Sequence, residues 1–229
     1  MEKDYANHLA RLREVWTKEV QSEDYDAHMF QVGQAQANAQ LVEDWLRSKP
    51  PEPGSRILFA GAGTGQMFDF VSPEILYPYL VTFTDINHDY LKRLESRVKS
   101  KTQLHFHIIV DNVEHPQLPS GYALAMAVLV LEHVDWHLAV AALCTLSVDS
   151  VFVVIQENPP NSTMAVMENQ LLVGTMRIFR EVHPMLLNRG ALIKEFEHHG
   201  FCLIYSSEKQ VHYEKRMVGL GFRKDHTMH

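Results

Sequence analysis

Cysteine is nearly missing from this chain: Cys144 and Cys202 are the only two in 229 residues. Two thiols build neither a disulfide framework nor a cysteine-ligated zinc site, so stability has to come from an apolar core. Long hydrophobic runs are missing too. No stretch of 18 apolar residues occurs, which argues against a membrane-spanning helix. The opening MEKDYANHLARLREVW is charged and amphipathic, without the apolar centre of a secretory signal, so a cytoplasmic protein is expected. Basic charge is in short supply as well, with 21 Lys and Arg against 28 Asp and Glu. Nucleic-acid binders gather positive charge to neutralise phosphates, so neither DNA nor RNA is the expected partner. The one basic cluster, Lys92, Arg93, Arg97, Lys99 and Lys101 in LKRLESRVKSK, reads as the solvated face of a helix. Finally, no Gly-Lys pair occurs, which excludes the phosphate loop GxxxxGK[ST].

What is there is a chain 46% hydrophobic, enough for a large single core. Tyr5, Leu9, Leu12, Trp16 and Val20 recur at spacings of three and four and predict an amphipathic helix. A second helix is expected over about Asp24–Arg47, with Ala37, Leu41 and Trp45 on one face. The stretch SKPPEPGS then ends helical structure, because Pro50, Pro51 and Pro53 with Gly54 cannot continue it. This divides the chain into an N-terminal helical cap, 1–50, and a main domain, 55–229.

In the main domain short apolar runs alternate with helical stretches. The runs are Ile57–Ala60, Val81–Ile86, Leu104–Val110, Ala123–Leu131, Val151–Ile155 and Phe201–Ser206. NHDYLKRLESRV and DWHLAVAALCTL lie between them as helices. That alternation predicts an α/β fold, a parallel sheet with helices on both faces. FCLIYSS and KRMVGLGF, separated by polar residues, predict a closing hairpin and hence an antiparallel edge.

The stretch RILFAGAGTGQMFDF places Gly61, Gly63 and Gly65 directly after a strand and before an expected helix. In open α/β sheets ligands bind beyond the carboxyl ends of strands, and glycines there let a ligand lie against the backbone. The dinucleotide pattern GxGxxG would need glycine at position 66, which is Gln66, so the loop suits a nucleoside-type ligand better than a pyrophosphate. Asp85 closes the second strand twenty residues past Gly65, where a carboxylate accepts from ribose hydroxyls. Asp111 and Asn112 close the third strand, and a carboxylate there accepts from an adenine amino group.

In this combination the sequence resembles the class I S-adenosylmethionine-dependent methyltransferases. ILFAGAGTG, VTFTDIN, IIVDNVEH and ALAMAVLVLEHVDW correspond to four ordered motifs of that family, within about Arg56–Arg223. The resemblance implies a Rossmann-like seven-stranded, mostly parallel sheet with an antiparallel last strand. It implies S-adenosyl-L-methionine as cofactor and S-adenosyl-L-homocysteine as product, with Gly61, Ala62 and Gly63 at the amino-acid end. Asp85 would bind the ribose, Ile86 would pack on the adenine, Asp111 and Asn112 would sit at its edge, and Val128 and Leu129 would follow the fourth strand. Two positions depart from the pattern. Phe59 stands where the family usually has an acid that meets the cofactor's ammonium, and Ala123 where an aspartate is common. Gln66, Gln34 and Asn38 are candidates to compensate.

Methyl transfer from a sulfonium is an in-line displacement that needs alignment and dryness more than chemical side chains. A base matters only where the nucleophile holds its proton tightly. Glu132 and His133, in LEHVDWH just past the fourth strand, are the catalytic candidates. His133 and His137 stand four apart with Asp135 between, but no third ligand is evident and no metal is expected. His105 and His107 alternate with apolar residues on a strand, and His198 and His199 end a helix, where a cation suits the dipole. For the acceptor, DYDAHMFQVGQAQANAQL offers Tyr25, His28 and Phe30 as binding residues, and NSTMAVMENQLLVGTMRIFREVHPMLL offers Met164, Met167, Met176 and Phe179. Glu157 and Asn158, after the fifth strand, would orient a polar end. The expected activity is O- or N-methylation of a small-molecule acceptor. A catalytically silent cofactor-binding protein and a protein or RNA methyltransferase are the alternatives, and the sequence leaves oligomeric state open.

Overall fold

The protein's structure, a computed structural model, describes residues 2–101, 103–167 and 169–225. Met1 and residues 226–229, within the cap and domain ranges expected from sequence, lie outside the described residues, as does Glu168 of the second acceptor segment. Seven strands form one sheet in the order β3-β2-β1-β4-β5-β7-β6. They are β1 (Arg56–Ala60), β2 (Leu80–Asp85), β3 (His105–Val110), β4 (Tyr122–Val128), β5 (Ser147–Glu157), β6 (Phe201–Gln210) and β7 (Arg216–Lys224). Every ladder is parallel except those of β7, which runs antiparallel to both β5 and β6. The expected α/β sheet with one antiparallel strand is the fold.

Alternation along the strands divides the core in two. Ile57 and Phe59 of β1 and Phe152 and Val154 of β5 face one side, under α3 (Gln34–Ser48) and α4 (His88–Lys99). Leu58, Ala60, Val151 and Val153 face the other, under α5 (Trp136–Leu146) and α6 (Arg189–His198). Both α4 and α5 begin at Asx caps: the Asn87 and Asp135 side chains each accept from two backbone amides of the first turn. A third apolar cluster joins α1 (Glu2–Glu14), through Leu9 and Leu12, to Val166, Leu172, Met176 and Phe179.

Several expectations from sequence are corrected. The helix expected over Asp24–Arg47 is two, α2 (Ser22–Gln31) and α3, broken where Gly33 takes φ 75°. α3 lies in the helical layer of the sheet, with Trp45 stacked on Phe152 at 5.3 Å, so only α1 and α2 stand over the strand ends. No α-helix follows the glycine loop. Two 3₁₀ turns, Gln66–Asp69 and Pro73–Ile75, take its place, because the residue before Pro73 is pushed out of helical geometry and Pro78 removes another donor. The described residues of the methionine-rich segment are irregular up to the 3₁₀ turn Gly174–Arg180. The basic stretch of α4 is more than a solvated face. Arg93 and Arg97 donate to Asp26 of α2 at 2.5 and 2.9 Å, and Arg97 also holds Asp69 at 2.9 Å. His105 and His107 are exposed on β3, as read, and His198 ends α6.

Candidate functional site

The carboxyl ends of β1, β2 and β4 open onto a cavity of about 650 Å³, its open mouth included. Gly61, Gly63, Asp85, Ile86, Asp111 and Asn112 line it, so the elements that the sequence had marked separately meet there. The loop is bare for a steric reason. Gly61 and Gly63 take φ 65° and 56°, and a Cβ on Gly61 would come within 2.6 Å of Val130. Gly65 has a different role from the one expected: it lines no cavity, and its φ of 71° brings it onto Leu94 and Phe68, packing the loop against α4. Asp85 holds the loop. Its carboxylate accepts from the Gly63 amide at 2.9 Å and the Asn87 amide at 2.8 Å. Burial pushes its pKa up to about 6 despite those bonds. Asp111 and Asn112 are tied into their own turn, accepting from Gln117 at 3.1 Å and Glu114 at 3.0 Å. Leu129, past β4, adopts φ 55°, a strained geometry for a branched side chain, and lines this cavity and the next.

The N-terminal helices roof the cavity. Arg13 pairs with the buried Glu114, whose other oxygen accepts from the Asp135 amide at 2.9 Å. Asn87 donates to the Trp16 carbonyl at 2.8 Å, and Tyr90 to that of Val20 at 2.8 Å. The Tyr25 ring lies over Gly63, stacked on Tyr90 and edge-on to Trp16, with burial holding its hydroxyl above the ordinary range. Beneath it a smaller pocket is lined by Phe59, Gly61, Ala62, Gln66 and Val128, with Asn38 from α3. Phe59 is committed to the core, stacked on Phe83 at 5.4 Å and edge-on to Phe68 at 5.1 Å. Of the three compensating candidates, Gln34 bonds Gln156 at 2.8 Å and the Gln66 side chain is paired with the Thr64 hydroxyl at 2.8 Å. Asn38, 2% exposed, leaves its Oδ1 without a partner.

A second cavity of similar size adjoins the first across Trp16, Tyr25, Leu129 and His133, which line both. Of the two catalytic candidates, His133 stands at this junction and Glu132 lines the second cavity. The Glu132 carboxyl is 4% exposed. One oxygen accepts from the Gln156 amide at 2.7 Å while the other has no partner, and burial raises its pKa to about 7. His133 stands edge-on to Trp16 at 4.9 Å with Nδ1 unpartnered, and burial lowers it to about 3, so it is neutral. His137 points elsewhere, paired with Glu195 at 2.8 Å, and among the described residues no cluster of three His, Cys, Asp or Glu side chains could hold a metal ion.

Tyr25 and His28 line the second cavity, as do Met176 and Phe179, whereas Met164 and Met167 are not on its wall. Phe30, Glu157 and Asn158 fall outside both cavities as well. Phe30 is 62% exposed, stacked on Phe70, and Glu157 is held in ion pairs with Arg189 and Arg216 at 2.8 Å each. Trp16, Gln156, Gln170 and Lys215 are among the lining residues not picked out from sequence. Trp16 had a signal, as the largest member of the first helical stripe. Lys215, within the polar EKQVHYEK stretch, had none.

An open α/β sheet with a glycine cradle, an acid after the second strand and a roofed neighbouring cavity defines a nucleoside-binding fold with room for a second molecule. Comparison with solved structures gives that fold its name: it is the fold of the class I S-adenosylmethionine-dependent methyltransferases. Magnesium protoporphyrin IX methyltransferase from Synechocystis, crystallised with S-adenosylhomocysteine, superposes with TM-score 0.62 at 14% identity, over 84% of each chain. A geranyl diphosphate methyltransferase, bound to geranyl diphosphate and sinefungin, gives 0.63 at 12%, over 81% of this chain and 77% of its own. The [4+2]-cyclase SpnF gives 0.61 at 11%, over 82% and 81%. Neither a protein-family model nor a curated protein sequence matches the chain. At such identities the likeness carries the fold, and a cyclase among the neighbours shows that the fold does not dictate the reaction.

Proposed function

We propose that the protein is an S-adenosylmethionine-dependent methyltransferase acting on a small molecule. The observation that carries this reading is the pair of cavities meeting at Trp16, Tyr25, Leu129 and His133, one bounded by the glycine loop and the strand-end acids, the other lined by apolar side chains with a few polar groups, Glu132 among them. The residues present fit the cofactor. Each carboxylate oxygen has two lone pairs, so Asp85 retains capacity for a ribose hydroxyl beyond the amides it holds. Ile86 offers an apolar face for a base, with Asp111 and Asn112 at its edge. Asn38 brings an unspent carbonyl oxygen to the pocket beside Gly61 and Ala62, a partner for an ammonium where Phe59 offers none.

When bound, the cofactor supplies an electrophilic methyl group on a sulfonium. The chain's part is to align the acceptor and keep water out. Trp16, Tyr25 and Leu129 form the neck between the cavities, narrow and largely apolar. Glu132 is the group matched to proton removal, because a carboxyl near pH 7 balances availability against basicity. His133 stays neutral beside it and presents a lone pair or an N–H to the acceptor. O- and N-methylation are both served by this arrangement, which asks for a nucleophile bearing a removable proton.

The test is binding followed by turnover. S-adenosylhomocysteine at a hundred times its dissociation constant stabilises by about 2.7 kcal/mol. For this chain that raises the unfolding midpoint by roughly 5–10 °C, and NADH and ATP are expected to leave it unchanged. No shift with S-adenosylhomocysteine on a folded protein rejects the reading. A shift without label transfer from methyl-labelled cofactor to any acceptor leaves a silent binding protein instead.

A further inference from the structure

The second cavity contains a buried cation that has no counter-ion among the described residues. Lys215 ends the β6–β7 turn, 2% exposed, on the cavity wall. Its Nζ donates to the Ala165 carbonyl at 2.7 Å and to Gln170 Oε1 at 2.5 Å, both neutral groups. Among the described residues no carboxylate pairs with it. An ammonium has three N–H donors, so one is unspent. A buried, unpaired charge costs several kcal/mol, and burial accordingly lowers Lys215 to about 8. Nothing in the packing of the cavity repays that cost.

The neighbours of Lys215 extend the same pattern. Because Gln170 Oε1 faces the lysine, its Nε2 faces His28 Nε2, at 3.5 Å. An amide nitrogen only donates, so His28 Nε2 accepts and the ring proton sits on Nδ1. That Nδ1 is buried and has no partner. Burial first, and the positive charge of Lys215 after it, lowers His28 to about 4 and keeps it neutral. The Lys215–Gln170–His28 chain therefore ends in two unspent donors, one of them charged, on one cavity. Trp16, Leu172, Met176 and Phe179 give the same wall an apolar face, and Glu132, His133, Gln34 and Gln156 complete its polar part.

We infer that the cavity takes a methyl acceptor with an apolar body and a carboxylate, the carboxylate bound by Lys215 and His28 and the hydroxyl or amine to be methylated facing Glu132. One cation matches one negative charge. A phosphate monoester, at −1.5 to −2, would stay under-compensated in a buried site. The word acceptor rests on the methyltransferase reading, but the anion site does not.

The test is calorimetric binding of acid–amide pairs, with and without saturating S-adenosylhomocysteine. The probes are 4-hydroxybenzoate, 3-phenylpropionate and octanoate, each beside its primary amide, with phenyl phosphate as the second anion. At least one acid is expected to bind ten-fold or more tighter than its amide, and Lys215→Met, checked for folding by circular dichroism, is expected to erase that preference. Acids binding no tighter than amides to the wild-type protein overturn the inference without recourse to any variant. So does a preference that survives Lys215→Met. Phenyl phosphate binding tighter than every carboxylate overturns the carboxylate assignment. An acid preference in a protein that does not bind S-adenosylhomocysteine sinks the methyltransferase reading and leaves the anion site standing.

Discussion

The two cavities that meet at His133 are built on different principles. The floor of the first is made largely from backbone: strand ends, a bare glycine loop, and turns closed by their own Asx residues. The parts of that floor come from consecutive units of the chain, and only the roof, with Arg13, Trp16 and Tyr25, is brought from a distance. The second is assembled from Trp16, α2, Gln34 of α3, the turn after β4, Gln156 of β5, residues between Ala165 and Met185, and Lys215 before β7, which are remote in sequence. It holds a carboxyl pushed up to about 7, an imidazole near 4 and an amine near 8, all displaced by burial. A ligand common to many proteins is met by local geometry, whereas one particular to this protein is met by long-range packing.

The sharpest test of that division is Glu132→Gln, which keeps the bond from the Gln156 amide and removes the titration. Turnover is expected to fall by about 10²–10⁴-fold while S-adenosylhomocysteine affinity stays within about threefold. An equal fall in both would merge the two cavities into one functional unit. The same variant has a signature in stability. A carboxyl held at about 7 when folded against 4.5 when exposed binds its proton more tightly in the native state. The wild type therefore loses stability relative to Glu132→Gln as pH rises from about 4.5 to about 7, by about 3 kcal/mol for a shift of this size. Urea titrations at pH 4 and pH 7.5 read the difference, and a pH-independent gap would remove the buried-acid assignment. Next in size is Asp85→Ala. A hydrogen bond to a charged group contributes about 1.5–3 kcal/mol, so cofactor affinity is expected to drop about 10- to 100-fold in a domain that still folds. Unchanged affinity by calorimetry would take the ribose role from Asp85. The smallest effect belongs to Phe30→Ala, outside both cavities. Stability and turnover should each move by no more than about 0.5 kcal/mol, and a larger loss of turnover would return Phe30 to the acceptor site.

The same division explains what the sequence made legible. The strands, the hairpin and the first cavity follow from patterns within about twenty residues: apolar runs, glycine spacing, an acid at a strand end. The missing helix after Gly65 was legible in principle, since Pro73 and Pro78 leave too short a run for it. Phe30 and Glu157 were misassigned because a residue type and a neighbourhood do not say which way a side chain points. One turned outward onto Phe70 and the other into a cluster with two arginines. Lys215 carried no local signal, because its burial is decided by Ala165 and Gln170, about fifty residues away.

Asp26 has a consequence for timing. This one carboxylate on α2 accepts from Thr64 of the glycine loop and from Arg93 and Arg97 of α4. Any lifting of α2 must therefore release the loop from the roof and part Asp26 from both arginines in the same event, while Arg97 keeps Asp69. Opening of the roof and of the loop becomes a single transition instead of independent flickers, and amide exchange over 22–31 and 61–66 should proceed in step.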